Sequence, residues 1–570
     1  MKTYKAFLAA GFVTLGLGLA SCNDFLDVAP VDQLDDAEYW QTEEQVRLFA
    51  NGFYPSYFTG YAGNFGYNEK LTDNFSDVAQ TPWPYLVVSG TDGNYTYSYV
   101  RRANYFLEGV ERVPVMDDAT RNHWRGIGRL FRGVEYADLS FYYGDTQWYY
   151  TRINSTELDS LYKPRESRDK VVIPRVIADL RFALENIRTS DGDLQVNKYV
   201  AAAMISKVML REGTFLKYHG INPELGNQCL QLAKEACLTV MNSGKYDLAP
   251  DYRSLFSSDD LAGNPEVILY KRYIDTKTGH NVLNYNYLQP QAGPNRDFAD
   301  SFLDADGHPV YEKDINFCPR TAADYFANRD PRLSMIIRPD KYYIAGEDVA
   351  GATYSRSGFS MCKYMDPTKE QSTEGIYTAD NKNVTDCPQF RLGGILVDYA
   401  EICYELGSLS QNDLDISINR LRARNGVGMP ALQIIGGQPA VGGEVYDDPM
   451  RDQDVPAMLW EIRRERRVEM AFEGSRLDDL KRWKKLIYLW SEYNPNIDTG
   501  AWISYADFPK ADKTKAVLPD GDEEGYLVVT PVANRRPAPQ AHDYIRPIPT
   551  DQIQLFQQNG YVLEQNPEWK

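Results

Sequence analysis

A chain of 570 residues is far longer than one core requires, which excludes a marginal miniprotein and leaves room for several domains. With 43% hydrophobic and 25% charged residues it is neither disordered nor collagen-like, so a packed core is expected. The formal charge of −19 opposes phosphate backbones and supplies no counterion-release term, which argues against nucleic acid as a partner. The aromatic share is 13%, dominated by 41 Tyr, and tyrosine offers a flat apolar face with a polar tip. That composition suits surfaces that hold hydrated, ring-shaped ligands.

Chain order begins with an address. Lys2 and Lys5 precede an apolar run from Ala6 to Ala20 that is too short to anchor permanently as a helix, so residues 1–21 read as a signal peptide. Its end, Leu19-Ala20-Ser21-Cys22, is similar to the bacterial lipobox, in which the thiol takes a diacylglycerol before cleavage. Cys22 is therefore the expected lipid attachment. Each buried methylene of its chains contributes about 0.8 kcal/mol, enough to hold the mature protein on a membrane without crossing it. Six cysteines remain, without CxxC spacing, and buried free thiols are expected.

Val100, Ala103, Leu107 and Val110 make one helical stripe; Ile173, Ile177, Leu180, Leu184 and Ile187 make another. Residues 198–216 predict a further helix, broken at Gly220-Ile221-Asn222-Pro223 before a partner over 225–240. Small residues on one face predict close packing of this pair, which is similar to a tetratricopeptide repeat. From Asp251 to Pro388 the periodicity gives way to Pro, Gly, Asn and Tyr, with a short strand predicted over 266–270. Helical signal returns at 392–406, 416–424 and 455–490. A loop region this long inside a helical frame is where a ligand is expected.

Within the last block, Glu461, Glu465, Glu469 and Glu473 recur at i+4, a like-charge ridge that needs offsetting. Arginines at i+3 predict the pairs Glu461–Arg464, Arg466–Glu469 and Glu473–Arg476, with Gly474 ending one helix and a Ser475/Asp478 box starting the next. Glycoside hydrolysis would need one carboxyl with a raised pKa. A guanidinium beside each glutamate holds it down instead, so Glu465, Arg466, Glu469, Glu473 and Arg476 read as a structural ion-pair motif and no catalytic residue is assigned.

The five histidines never form H-x-x-x-H, and no phosphate loop or nucleophile elbow occurs, so no metal and no cofactor is expected. Asp304/Asp306 and Asp520/Asp522/Glu524 lack the rest of an EF-hand loop and read as solvated turns. The remaining candidates are aromatic residues outside the helical stripes. Trp83, Tyr85, Tyr285 and Tyr287 are the candidate ligand-binding rings, because a pyranose can lay its C–H face on such a surface while its hydroxyls seek nearby polar groups.

The lipobox, Cys22-Asn-Asp-Phe-Leu-Asp27, Glu212-Gly213-Thr214, Asn328-Arg-Asp330-Pro331-Arg332-Leu333, the glutamate-arginine helix, and Tyr544-Ile-Arg-Pro547-Ile548-Pro549 occur in an order that resembles the SusD/RagB outer-membrane nutrient-binding lipoproteins of Bacteroidota. The resemblance implies a mostly α fold: about four tetratricopeptide-like helix pairs carrying a loop-rich, partly β, ligand-facing region. It divides the chain into a tail over 22–40, an N-terminal helical part over 41–250, a loop-rich insertion over 251–388 and a C-terminal part over 389–570. It also implies a non-enzymatic, surface-exposed lipoprotein that captures oligosaccharides and delivers them to a SusC-like TonB-dependent outer-membrane transporter. Peptide capture of the RagB type and a surface glycoside hydrolase are the alternatives.

Overall fold

Local sequence sets where the helices begin. In the computed structural model, which describes residues 39–61, 67–77, 87–283, 292–347, 354–366 and 381–570, Thr42 and Gln45 cap one another at the start of α1 (Glu43–Asn51). Helix α2 spans Ser98–Arg112. Asp117 accepts from the Thr120 N–H and opens α3 (Asp118–Tyr143). After α4 (Ile173–Asn186), Asn197 caps α5 (Lys198–Tyr218), and Asn222 with Pro223 at the first helical position opens α6 (Pro223–Met241). The apolar stripes predicted around 100–110 and 173–187 are α2 and α4, and the predicted pair over 198–240 is α5 and α6.

Helix α3 is the longest among the described residues. It packs against both α2 and α4, and its glycines make room for them. A Cβ added at Gly128 would sit 2.7 Å from Leu107, and one at Gly133 2.8 Å from Leu180. The α5/α6 pair approaches as closely as the sequence predicts, since a Cβ at Gly213 would lie 2.8 Å from the carbonyl oxygen of Gly226.

Short strands follow. β1 (Phe75–Asp77) pairs antiparallel with β3 (Ala292–Pro294), and β2 (Val267–Lys271), where a strand was predicted over 266–270, pairs antiparallel with β4 (Cys387–Arg391). β4 runs directly into α7 (Leu392–Glu405), which lies on α6, and α8 (Ala457–Glu469) lies on α7, extending the helical layer. A small meander, β5 to β7 (433–445), and a β8/β9 hairpin (Thr499–Ser504, Glu524–Val528) complete the strands among the described residues. The fold is mostly helical with short strands, as expected.

Two larger cores cut across the linear segments. One joins the α1 to α6 layer to Leu392, Ile395 and Leu396 of α7 and to Ile548, Phe556 and Leu563 near the carboxyl terminus. The other packs Phe298, Ile336, Phe359 and Cys387 with Phe472, Ile503 and Leu527. The loop-rich insertion therefore shares its core with the segment that follows α8. The six cysteines described are all free; five are buried and Cys318 is half-buried. No helix among the described residues is long and apolar enough to cross a membrane.

Candidate functional site

Helix α8 carries Glu461, Glu465 and Glu469 of the predicted charged ridge and ends at Glu469 rather than at Gly474, leaving Glu473 in the turn beyond it, and most of the partners come from elsewhere in the chain. Glu461 pairs with Arg464 at 3.1 Å as the spacing suggests. Glu469 instead sits among Arg391 at 2.6 Å, Arg424 at 3.0 Å and Arg332 at 3.5 Å, and Glu465 lies between Arg422 and Arg332. Glu473 is held by Arg391 and Lys363. The predicted partner of Glu469, Arg466, turns to Asp398 and Asp479, and Arg476 turns to Asp73 at 2.7 Å. So two of the i+3 pairs are replaced by contacts across helices, because this face of α8 is buried against β4, α7 and Asp330-Pro331-Arg332 rather than facing water.

Burial alone would push the Glu469 carboxyl up, but Arg424, Arg391 and Arg332 overcome it and hold it at about 2. Glu465 and Glu473 are likewise held down by their cations against burial. Glu461 departs from the expectation: burial outweighs Arg464, and its carboxyl is raised. The box predicted at Ser475 does not form, since Ser475 already has helical angles and makes no side-chain cap bond at the start of α9 (Arg476–Arg482).

The candidate rings Trp83, Tyr85, Tyr285 and Tyr287 and the lipid-attachment residue Cys22 lie outside the described residues. The backbone that leads to the rings is described. β1 ends at Asp77, just before the segment that carries Trp83 and Tyr85. β3 begins at Ala292, just after the segment that carries Tyr285 and Tyr287. The register places Asp77 opposite Ala292, so the described residues that border the two segments pair with each other. Ser76 donates from beneath to the Ile497 carbonyl, and Asn295 Nδ2 reaches the same oxygen at 3.3 Å. Asp73 and Asp77 are tied down by Arg476 and Lys70 respectively.

Beside this base opens a cavity of about 440 Å³. Asp73 and Arg467 line it, and Trp460, Tyr311, Tyr488 and Tyr493 supply rings. Its carboxylates have partners: Asp297 meets Arg467 at 2.7 Å, Asp452 accepts from Tyr488 at 2.7 Å and pairs with Lys485 at 2.6 Å, and Asp448 accepts from Trp460 Nε1 at 2.9 Å. Paired carboxylates beside exposed ring faces suit the binding of a polar solute. Sequence reading passed over Tyr488, which lies in a 3-10 turn over Leu486–Leu489, and Tyr493, in the turn that follows; the signal was the breaker run Asn494-Pro495-Asn496, which ends helical periodicity beside them. The pair Asp304/Asp306, weighed as a turn, closes on Lys313.

Comparison with known proteins decides the family. The SusD family profile matches residues 265–569, more than half of the chain. The chain belongs to the SusD family. Among curated relatives it is 23% identical over 304 residues to SusD-like protein P38 of Formosa agariphila, a match covering 50% of this chain and 56% of that protein. It is 22% identical over 521 residues to SusD-like protein P2 of the same organism, covering 85% and 91%. Among solved structures, a SusD-like carbohydrate binding protein from Bacteroides fragilis superposes with a TM-score of 0.67 at 21% identity, covering 93% of this chain and all of that one. SusD-family proteins bind without catalysing, and the chain is a non-catalytic member, which removes the hydrolase alternative.

Proposed function

We propose that this SusD-family chain is a lipid-anchored outer-membrane protein, held at the cell surface through acylated Cys22, that binds oligosaccharides and passes them to a SusC-like TonB-dependent transporter. The observation that carries the reading is the β1/β3 pairing, which joins the bases of the two segments bearing Trp83, Tyr85, Tyr285 and Tyr287. The strands that border these segments are also held against the Ile497 carbonyl by Ser76 and Asn295. The Bacteroides fragilis neighbour is described as carbohydrate binding, which supports the same ligand class. Delivery requires that a bound glycan touch both partners, so that its differential affinity favours the closed assembly.

Calorimetric titration of the full-length protein with a panel of neutral oligosaccharides tests the reading. At least one glycan should bind saturably. The Trp83→Ala/Tyr285→Ala variant should lose about 2 kcal/mol or more, roughly thirtyfold in affinity, as for other ring anchors. Silence across every glycan with a clear signal from peptides would replace oligosaccharides by peptides as the cargo.

A further inference from the structure

A second cavity, of about 310 Å³, lies away from α8, between the carboxyl-terminal end of α3, the turn after α1 and the start of α2. Tyr57, Tyr99, Tyr142 and Tyr143 line it together with Glu135 and Asp138. The other lining residues bring amide, hydroxyl and apolar groups, and no arginine or lysine lines it among the described residues. Asp138 has a cation from outside, Arg211 of α5, at 2.6 Å.

Glu135 has none. It is only 9% exposed, and its one hydrogen bond comes from the Tyr57 hydroxyl at 3.1 Å to Oε2. No other donor among the described residues reaches its carboxyl. Arg132, one turn earlier on α3, is already bound to Asp179. The groups facing Glu135 are therefore Asp138 on its own helix and Tyr57 from the turn after α1. Tyr99 of α2 stands behind Tyr57, with its ring 6.2 Å away, and Arg211 of α5 is engaged by Asp138. Burial first, and Asp138 second, push the Glu135 carboxyl up to about 8.

A buried carboxyl without a counter-cation is costly where it stands, and tyrosine faces attract diffuse positive charge. We propose that this cavity binds an organic ammonium group, with Glu135 as its counter-charge and the tyrosine faces as its walls. A calcium ion would ask for six or more oxygens, whereas the walls here are mostly rings. The ammonium could belong to an amino sugar or to a lysine side chain; the chemistry at Glu135 is the same. The inference stands on the cavity and does not depend on Trp83 or Tyr285.

Glucosamine, Nα-acetyl-lysine amide and, as the neutral control, glucose are titrated at pH 7 into the full-length protein and its Glu135→Gln variant. At least one ammonium probe should bind ten or more times tighter than glucose, and Glu135→Gln should remove that preference. Because the ammonium draws the proton off Glu135, binding to the unaltered protein should release a proton, read from the dependence of the heat on buffer ionisation; this readout stands even if the variant fails to fold. Preference for glucosamine identifies an amino sugar, and preference for the lysine derivative a peptide. Equal affinity for glucose, binding without proton release, a preference that survives Glu135→Gln, or no binding of either ammonium probe overturns the proposal.

Discussion

Glu469 on α8 and Glu135 on α3 are both buried glutamates on long helices, yet their surroundings are opposite. Glu469 is enclosed by Arg332, Arg391 and Arg424, and its carboxyl is driven down to about 2 against the pull of burial. Glu135 meets only a tyrosine hydroxyl, and its carboxyl is driven up to about 8 by burial and Asp138. The difference teaches how to separate a carboxylate that holds the fold from one left open to a ligand. Where the chain supplies every partner, the charge is structural and its loss is felt as instability. Where the chain supplies no cation and a cavity stands beside it, the missing counter-charge comes from outside.

The strongest way to break the comparison is Glu469→Ala. It would leave Arg332, Arg391 and Arg424 gathered around a hole, and we expect a loss of about 3–5 kcal/mol in urea unfolding. A loss under 1 kcal/mol would mean that those arginines find other partners and that the cluster is not what fixes α8 against β4.

Stability against pH is next in size and sharpens the contrast, because the two glutamates act in opposite directions. The folded Glu469 carboxyl lies below its unfolded value, so its contribution is complete above about pH 4.5 and is lost as pH falls toward 2. The folded Glu135 carboxyl lies above its unfolded value, so its contribution is complete below about pH 4.5 and is lost as pH rises through 8. In between, Glu135 should tilt stability downward with rising pH by up to about 1.4 kcal/mol per pH unit. Glu135→Gln should flatten that slope while leaving the acid limb unchanged. A slope between pH 5 and 8 that is identical in the variant would show that Glu135 ionises normally.

The contrast also marks what the sequence makes legible. Helices α2, α4, α5 and α6 each show a repeat of apolar residues or a run of small ones in the sequence. Helix α3 is harder to read, since Gly126, Gly128 and Gly133 stand where larger apolar residues would mark the faces that pack on Ile187, Leu107 and Leu180. On α8 the regular glutamates announced that arginines were needed but not which ones. Local spacing favoured Arg466 and Arg476, whereas burial handed Glu469 and Glu473 to Arg332, Arg391, Arg424 and Lys363 from segments far away in the chain. Glu135 carried no signal at all, because lacking a partner is a property of the folded surroundings and not of spacing.

The smallest expected effect probes the single bond that Glu135 does have. At pH 7 its carboxyl, raised to about 8, holds a proton in the larger share of molecules, so the bond from the Tyr57 hydroxyl is mostly one between neutral groups. Bonds of that kind contribute about 0.5–1.5 kcal/mol. Tyr57→Phe keeps the ring that packs on Phe131 at 4.7 Å and removes only the donor, so the loss in urea unfolding should stay within that range. The hydroxyl also lowers the Glu135 pKa. Without it the carboxyl should titrate higher still, moving the alkaline end of the stability slope upward in pH. A loss of several kcal/mol would mean that Tyr57 answers a full negative charge, and Glu135 would then belong with Glu469 among the paired carboxylates, whereas a downward shift would mean that the bond favours the protonated carboxyl.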